Sequence, residues 1–194
     1  MSSPSLVYVL VEDQRQLQLI YRFLLKSGLK PHQVSFETSP SGQGSAEQWV
    51  RESFARQTGK CRARNARATT GMIVMLDADT RTVQERLDAL DDALVRVGQQ
   101  PIDRNLDPIA RLVPKRNVET WILYLNLGGA CTPPIDEEND YKPAKSSDEW
   151  SALIPPAAEN LFNWARSKRA LSPGLIDSLA RGLQEIGRAL PVGR

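Results

Sequence analysis

Two short apolar runs, each followed at once by acidic residues, constrain the fold of this chain more than any other feature. Residues 7–11 are apolar and run into Glu12, and residues 72–76 are apolar and run into Asp77 and Asp79. An apolar run of five residues with polar ends is typical of a strand buried on both faces, as in a parallel sheet. Residues just beyond the carboxyl ends of such strands line the crevice in which open α/β sheets bind ligands. The pattern therefore predicts an α/β fold with acidic residues at its ligand-binding edge.

Strand and helix patterns alternate along the first two thirds of the chain. Apolar runs predict strands at 7–11, 34–37, 72–76 and 109–113. Apolar residues at helical spacing predict helices at 14–27, 46–57 and 83–97, and another from 117 onward. This order predicts a mostly parallel, four-stranded, doubly wound sheet flanked by helices.

Local signals set the expected boundaries of these elements. Thr80 has the chemistry of a helix N-cap, which predicts that the third helix begins just after it. Residues 58–70 have the composition of an irregular basic connector. We expect an α/β domain over 1–127 and a loop with a helical C-terminal extension over 128–194. The helices of that extension are predicted near 156–169 and 173–188.

The composition argues against a membrane or secreted protein. No run approaches the roughly 18 consecutive apolar residues that a membrane span requires, and the first residues lack the pattern of a signal peptide. The two cysteines, Cys61 and Cys131, have no metal-ligand spacing. Free thiols are typical of a reducing compartment, so we expect a cytoplasmic protein without a membrane partner.

Net charge does not identify a partner, because it is only +2. The distribution of charge is more informative, since six basic residues and one acidic residue lie between positions 51 and 67. Arg62, Arg64 and Arg67 are therefore candidates for contact with a nucleic-acid backbone. A solvated basic surface is the alternative interpretation.

The acidic residues after the two strands predict a metal site. Carboxylates gathered at one edge of a sheet repel one another unless a hard cation such as Mg²⁺ or Mn²⁺ joins them. Such a site points to metal-dependent phosphate chemistry. The alternative is that the carboxylates cap helices or end solvated loops.

Glu12 and the segment Asp77–Ala78–Asp79 resemble the TOPRIM domain, which has a lone glutamate after its first strand and Asp-x-Asp after a later one. TOPRIM domains occur in topoisomerases, primases, recombination proteins and overcoming-lysogenization-defect nucleases. The resemblance covers about residues 6–125 and implies a TOPRIM-like, Rossmann-like sheet. One position differs, because many TOPRIM proteins have glycine where this chain has Asp13.

Residues 114–123 resemble a Pro…Glu-x-Trp-Leu segment of small stand-alone TOPRIM-like proteins in bacterial defence loci, including the RloB-like group. This resemblance implies that Glu119 is a further carboxylate near the metal. It also implies a role in anti-phage defence, often beside an ATPase of the ABC or SMC kind. The chain has no Walker A motif, so any ATP dependence has to come from that partner.

In nuclease members of the family, as the resemblance implies, carboxylates hold one or two Mg²⁺ ions that activate water and stabilise an in-line displacement at phosphorus. The carboxylates here are Glu12, Asp77, Asp79 and Glu119. Glu12 is alternatively the general acid or base. Lys115 or Arg116 neutralises charge that develops at phosphorus, and Arg116 also contacts the nucleic acid.

The function that this resemblance implies is a Mg²⁺-dependent nuclease or nuclease subunit. Two alternatives remain open. The first is a non-catalytic TOPRIM-like scaffold that holds a partner protein. The second is a receiver-type phosphorylation switch, because residues 9–14 are similar to the start of a receiver domain and Asp77 would be its phosphoacceptor. The chain lacks the proline-containing loop after that aspartate and the Lys-Pro strand end of receivers.

Overall fold

The computed structural model describes residues 4–40, 45–127, 134–167 and 175–190. The strands in these ranges are β1 (Leu6–Val11), β2 (Val34–Thr38), β3 (Thr70–Met75) and β4 (Ile109–Leu112). The α-helices are α1 (Gln14–Lys26), α2 (Ala46–Asn65), α3 (Val83–Arg96), α4 (Val118–Leu127), α5 (Ser147–Arg166) and α6 (Asp177–Ala189).

The four strands form one parallel sheet in the order β2-β1-β3-β4. All six residues of β3 are buried, as expected for a central strand with helices on both faces. The predicted α/β class and parallel four-stranded sheet are therefore confirmed, and the arrangement is consistent with a Rossmann-like fold. We call the edge at which the strands end the carboxyl edge, and the edge at which they begin the amino edge.

The sheet separates two apolar layers, because side chains alternate between its faces along each strand. On one face, Val9 of β1 packs into a layer that includes Phe23 and Trp121 and is built with α1, α4, α5 and α6. On the other face, the neighbouring Leu10 packs into a layer that includes Phe54 and is built with α2 and α3. The two layers fix the helices relative to the strand ends where the acidic residues lie.

The C-terminal helical extension is present and packs on the sheet domain. Helix α5 contacts α1 and α4, and α6 contacts β4. The indole N–H of Trp121 in α4 donates a 2.7 Å hydrogen bond to Ser178 Oγ in α6. No helix in the described ranges is both long enough and apolar enough to cross a bilayer.

Two predicted boundaries in the first half of the chain are wrong. Residues 58–65 are not an irregular connector, because α2 continues to Asn65. Cys61 is buried on this last part of the helix, and Arg62 makes an ion pair with Asp107, so tertiary contacts stabilise a stretch with little amphipathic pattern. Thr82, not Thr80, is the N-cap of α3. It forms a capping box with Glu85.

The first helix of the extension begins earlier than predicted, at Ser147 instead of near 156. Pro155 and Pro156 lie inside it. A proline lacks the N–H that would bond the carbonyl four residues earlier. Those carbonyls belong to Ser151 and Ala152, which are exposed, so water can satisfy them and the helix continues. Cys131, the second predicted free thiol, lies outside the described residues.

Candidate active site

Glu12 and Asp77 lie side by side at the carboxyl edge. They follow β1 and β3, which are neighbours in the sheet with Val11 paired to Met75. Glu12 Oε2 accepts a 2.7 Å hydrogen bond from the backbone N–H of Asp77. Only 7% of Asp77 is exposed. The topology therefore brings together one carboxylate from each of the two acidic clusters.

The buried side chain of Gln16 joins this pair. Its Nε2 donates to Asp77 Oδ1 at 2.9 Å and to Glu12 Oε2 at 3.4 Å, while its Oε1 accepts from the Glu12 N–H at 3.0 Å. Gln16 is placed there because α1 starts directly after β1, with Asp13 as its N-cap. Sequence reasoning missed Gln16. Its one signal was its position four residues after Glu12, one helical turn away.

Glu119 lies at the start of α4 and is 1% exposed. Its Oε1 is 2.5 Å from Arg15 Nη1, and its Oε2 is buried without a hydrogen-bond partner. Arg15, which sequence reasoning also missed, precedes Gln16 on α1 and neutralises part of this charge. A buried carboxylate oxygen without a donor is costly, and it marks a place where a cation would be accepted.

Asp79 does not join the pair. It has a backbone φ of 54°, in the left-handed region that aspartate tolerates better than most residues. Its side chain is 60% exposed and lies 3.2 Å from Arg86, which also makes a 2.9 Å ion pair with Glu47. The turn after β3 thus sends Asp77 into the site and Asp79 towards α3.

The pKa values of the two central carboxyl groups are raised. Burial raises the pKa of Glu12 from 4.5 to about 7, against the lowering effect of its hydrogen bonds with the Asp77 N–H and Gln16. Burial also raises the pKa of Asp77 well above 3.8. Further increases at Asp77 come from the negative charges of Glu12, Asp13, Glu119 and Asp79. The carboxyl edge therefore holds more negative charge than its own neighbours compensate.

The donor set fits a magnesium site of a particular kind. Within the described ranges, no group of three acidic, histidine or cysteine side chains is arranged to hold a metal ion. Mg²⁺ does not require such a cage, because it is usually bound through one or two carboxylates together with waters and substrate phosphates. Glu12 and Asp77 supply that pair, and Glu119 adds a third negative charge nearby.

Lys115 and Arg116 lie in the loop between β4 and α4, at the same edge. Lys115 Nζ is 3.1 Å from a carboxylate oxygen of Glu138. Arg116 donates a 3.1 Å hydrogen bond to the backbone carbonyl of Asp79. Both predicted phosphate-contacting residues therefore lie beside the loop that follows β3.

Arg62, Arg64 and Arg67 lie at the opposite end of the sheet. Helix α2 leaves the carboxyl edge after β2 and ends at the amino edge just before β3. Arg62 donates two hydrogen bonds to Asp107, at 2.9 and 2.6 Å, and others to backbone carbonyls. Arg64 and Arg67 are exposed. The structure does not bring these three arginines to Glu12 and Asp77.

Comparisons with protein-family models, with curated proteins and with solved structures found no match to this chain. The functional argument therefore starts from the side chains at the carboxyl edge. The TOPRIM resemblance of Glu12 and the Asp-x-Asp segment remains a prediction.

Proposed function

We propose that this chain is a Mg²⁺-dependent phosphodiesterase that cleaves nucleic acid, either as a nuclease or as a nuclease subunit. The observation that carries the proposal is the Glu12–Asp77 pair, two buried carboxylates with raised pKa values joined at the carboxyl edge of a parallel sheet. Such a pair is stable only with compensating charge, which a divalent cation supplies. Open α/β sheets bind their ligands at this edge.

When bound, Mg²⁺ activates water and stabilises charge on the oxygens at phosphorus. Glu12 and Asp77 are the residues that would hold it. Lys115 and Arg116 bind phosphate oxygens at the rim, and Lys115 exchanges its contact with the exposed Glu138 for that phosphate. The deep burial of Asp77 limits solvent around the reacting group and strengthens these charge interactions.

The test is cleavage of plasmid DNA, single-stranded DNA and RNA with Mg²⁺ or Mn²⁺, comparing the wild type with Asp77→Asn. Asparagine keeps an oxygen that accepts the hydrogen bond from Gln16 but removes the charge. We expect metal-dependent cutting that falls to background in this variant. The matched control is Asp92→Asn, the same change at an exposed position of α3, which should cut like the wild type.

Two results would contradict the proposal. One is cutting that survives in Asp77→Asn, which would indicate a contaminating nuclease or another site. The other is the absence of cutting by the wild type on every substrate, alone and with an ATPase partner. The partner, of the ABC or SMC kind, and the anti-phage role belong to the proposal through the resemblance of residues 114–123.

A second candidate function is a non-catalytic scaffold that holds a partner protein. The observation that favours it is that protein groups already contact the carboxylates, since Gln16 bridges Glu12 and Asp77 and Arg15 pairs with Glu119. A scaffold predicts that Asp77→Asn keeps both partner binding and biological effect. An enzyme predicts that the variant binds the partner but loses the effect.

A further inference from the structure

The orientation of the Gln16 amide is fixed by three contacts. Its Oε1 accepts from the backbone N–H of Glu12, so its NH₂ group has to face the two carboxylates. A flipped amide would place NH₂ against that N–H and two carboxylate oxygens against Oε1, leaving donors and acceptors mismatched. Gln16 has no exposed surface, so water does not compete for these bonds.

These contacts use one oxygen of each carboxylate. Glu12 Oε2 accepts from the Asp77 N–H and from Gln16, and Asp77 Oδ1 accepts from Gln16. Among the described residues, no donor contacts Glu12 Oε1 or Asp77 Oδ2, and neither oxygen is fully buried. Each carboxylate is therefore anchored through one oxygen and leaves the other available.

We propose that Gln16 is a positioning residue that anchors Glu12 and Asp77 so that Glu12 Oε1 and Asp77 Oδ2 are presented to a divalent cation. This inference rests on the proposed function, since it assigns how the metal site is preorganised. Groups that hydrogen-bond the ligands of a metal orient them, and their loss typically weakens metal affinity by about 10- to 100-fold. Gln16 does not itself bind the cation, because both of its polar atoms are engaged.

The experiment measures Mn²⁺ binding to the full chain by calorimetry for the wild type, Gln16→Met and Gln18→Met. Methionine keeps the length and volume of glutamine but removes its hydrogen bonds. Gln18 lies on the same helix and is exposed, so its variant is the matched control. We expect Gln16→Met to bind Mn²⁺ about 10- to 100-fold more weakly and Gln18→Met to bind like the wild type.

Cleavage as a function of Mg²⁺ concentration gives a second readout. If Gln16 positions the ligands, the half-saturating Mg²⁺ concentration rises about 10-fold or more in Gln16→Met, while saturating Mg²⁺ restores most of the maximal rate. A loss of folded protein alone would lower the maximal rate without changing the half-saturating concentration.

The possible failures are distinguishable. Equal Mn²⁺ affinity in the wild type and Gln16→Met overturns the role of Gln16 and leaves the metal site standing. Absence of Mn²⁺ binding by the wild type overturns the metal site and the role of Gln16 together. If Gln16→Met does not fold, Gln16→Asn keeps a buried amide that is too short to bridge both carboxylates. It should show the same loss of affinity, and wild-type affinity in Gln16→Asn overturns the proposal.

Discussion

At the scale of single residues, the carboxyl edge is built at the expense of stability. Glu12 is largely buried, and its pKa rises from 4.5 to about 7 because burial disfavours the charged form. The folded state therefore holds this proton more tightly than the unfolded chain does. It follows that the metal-free protein loses stability as pH rises from about 4.5 to about 7, and that the loss is complete above that range.

This linkage predicts that Glu12→Gln stabilises the metal-free protein at alkaline pH. Glutamine keeps an oxygen for the Asp77 N–H and carries no charge. The shift of the Glu12 pKa corresponds to roughly 3 kcal/mol, so the variant should be more stable than the wild type by up to about that amount at pH 8. The difference should disappear near pH 4.5. Urea unfolding in EDTA, followed by circular dichroism across this pH range, measures it.

Glu52→Gln is the matched control for this prediction, because Glu52 is an exposed glutamate on α2. Its stability should follow that of the wild type at every pH. Parallel pH profiles for Glu12→Gln and the wild type would show that the Glu12 carboxylate is not destabilised by its surroundings. A large gain in stability together with lost cleavage would instead show stability exchanged for function.

At the scale of elements, the approach of α6 to α4 depends on the absence of a side chain at Gly182. A Cβ at this position would overlap the ring of Trp121, whereas a Cβ at Gly187 would meet no atom within 4 Å. Trp121 lies two residues beyond Glu119 on α4, so this contact also fixes the helix that carries the third acidic residue. The two glycines of one helix therefore have opposite requirements.

We expect Gly182→Ala to destabilise the protein by about 1–3 kcal/mol through overpacking against Trp121. Gly187→Ala should stabilise it by about 0.5–1 kcal/mol, because alanine loses less conformational freedom than glycine in a helix. Thermal unfolding compares the two, and tryptophan fluorescence reports whether the indole moves. Equal stability of both variants would mean that α6 does not pack closely on Trp121.

The success of sequence reasoning differed between element types for physical reasons. Strands β1 and β3 were predictable because burial on both faces leaves a continuous apolar run that no exposed element shows. The last turns of α2 were not, because they are stabilised by distant contacts such as Arg62 with Asp107, which propensity does not register. Helix α5 was shortened in the prediction because its two prolines usually interrupt a helix.

At the scale of the whole molecule, topology decides which acidic and basic residues meet. Adjacent parallel strands with acidic ends made the meeting of Glu12 and Asp77 predictable. The pairing of Gln16 with Asp77 spans 61 positions, and that of Arg15 with Glu119 spans 104. Such contacts depend on how helices return to the sheet, which the residue pattern of either partner alone does not show.

Basic residues lie at both ends of the sheet, and their placement predicts which end meets nucleic acid. Lys115 and Arg116 are at the carboxyl edge with the acidic pair, whereas Arg64 and Arg67 are at the amino edge. A phosphate backbone that reaches Glu12 has to pass the first two residues. Binding at the other end would not bring a phosphodiester to the proposed site.

We therefore expect the double change Lys115→Gln with Arg116→Gln to weaken nucleic-acid binding about 10-fold or more, and to reduce the salt dependence of the binding constant by about two phosphate contacts. The change Arg64→Gln with Arg67→Gln removes the same charge from the far end and should have little effect. Fluorescence anisotropy of a labelled oligonucleotide over a series of salt concentrations measures both. A larger loss from the second pair would place the nucleic acid at the amino edge, away from Glu12 and Asp77, and would separate binding from the proposed chemistry.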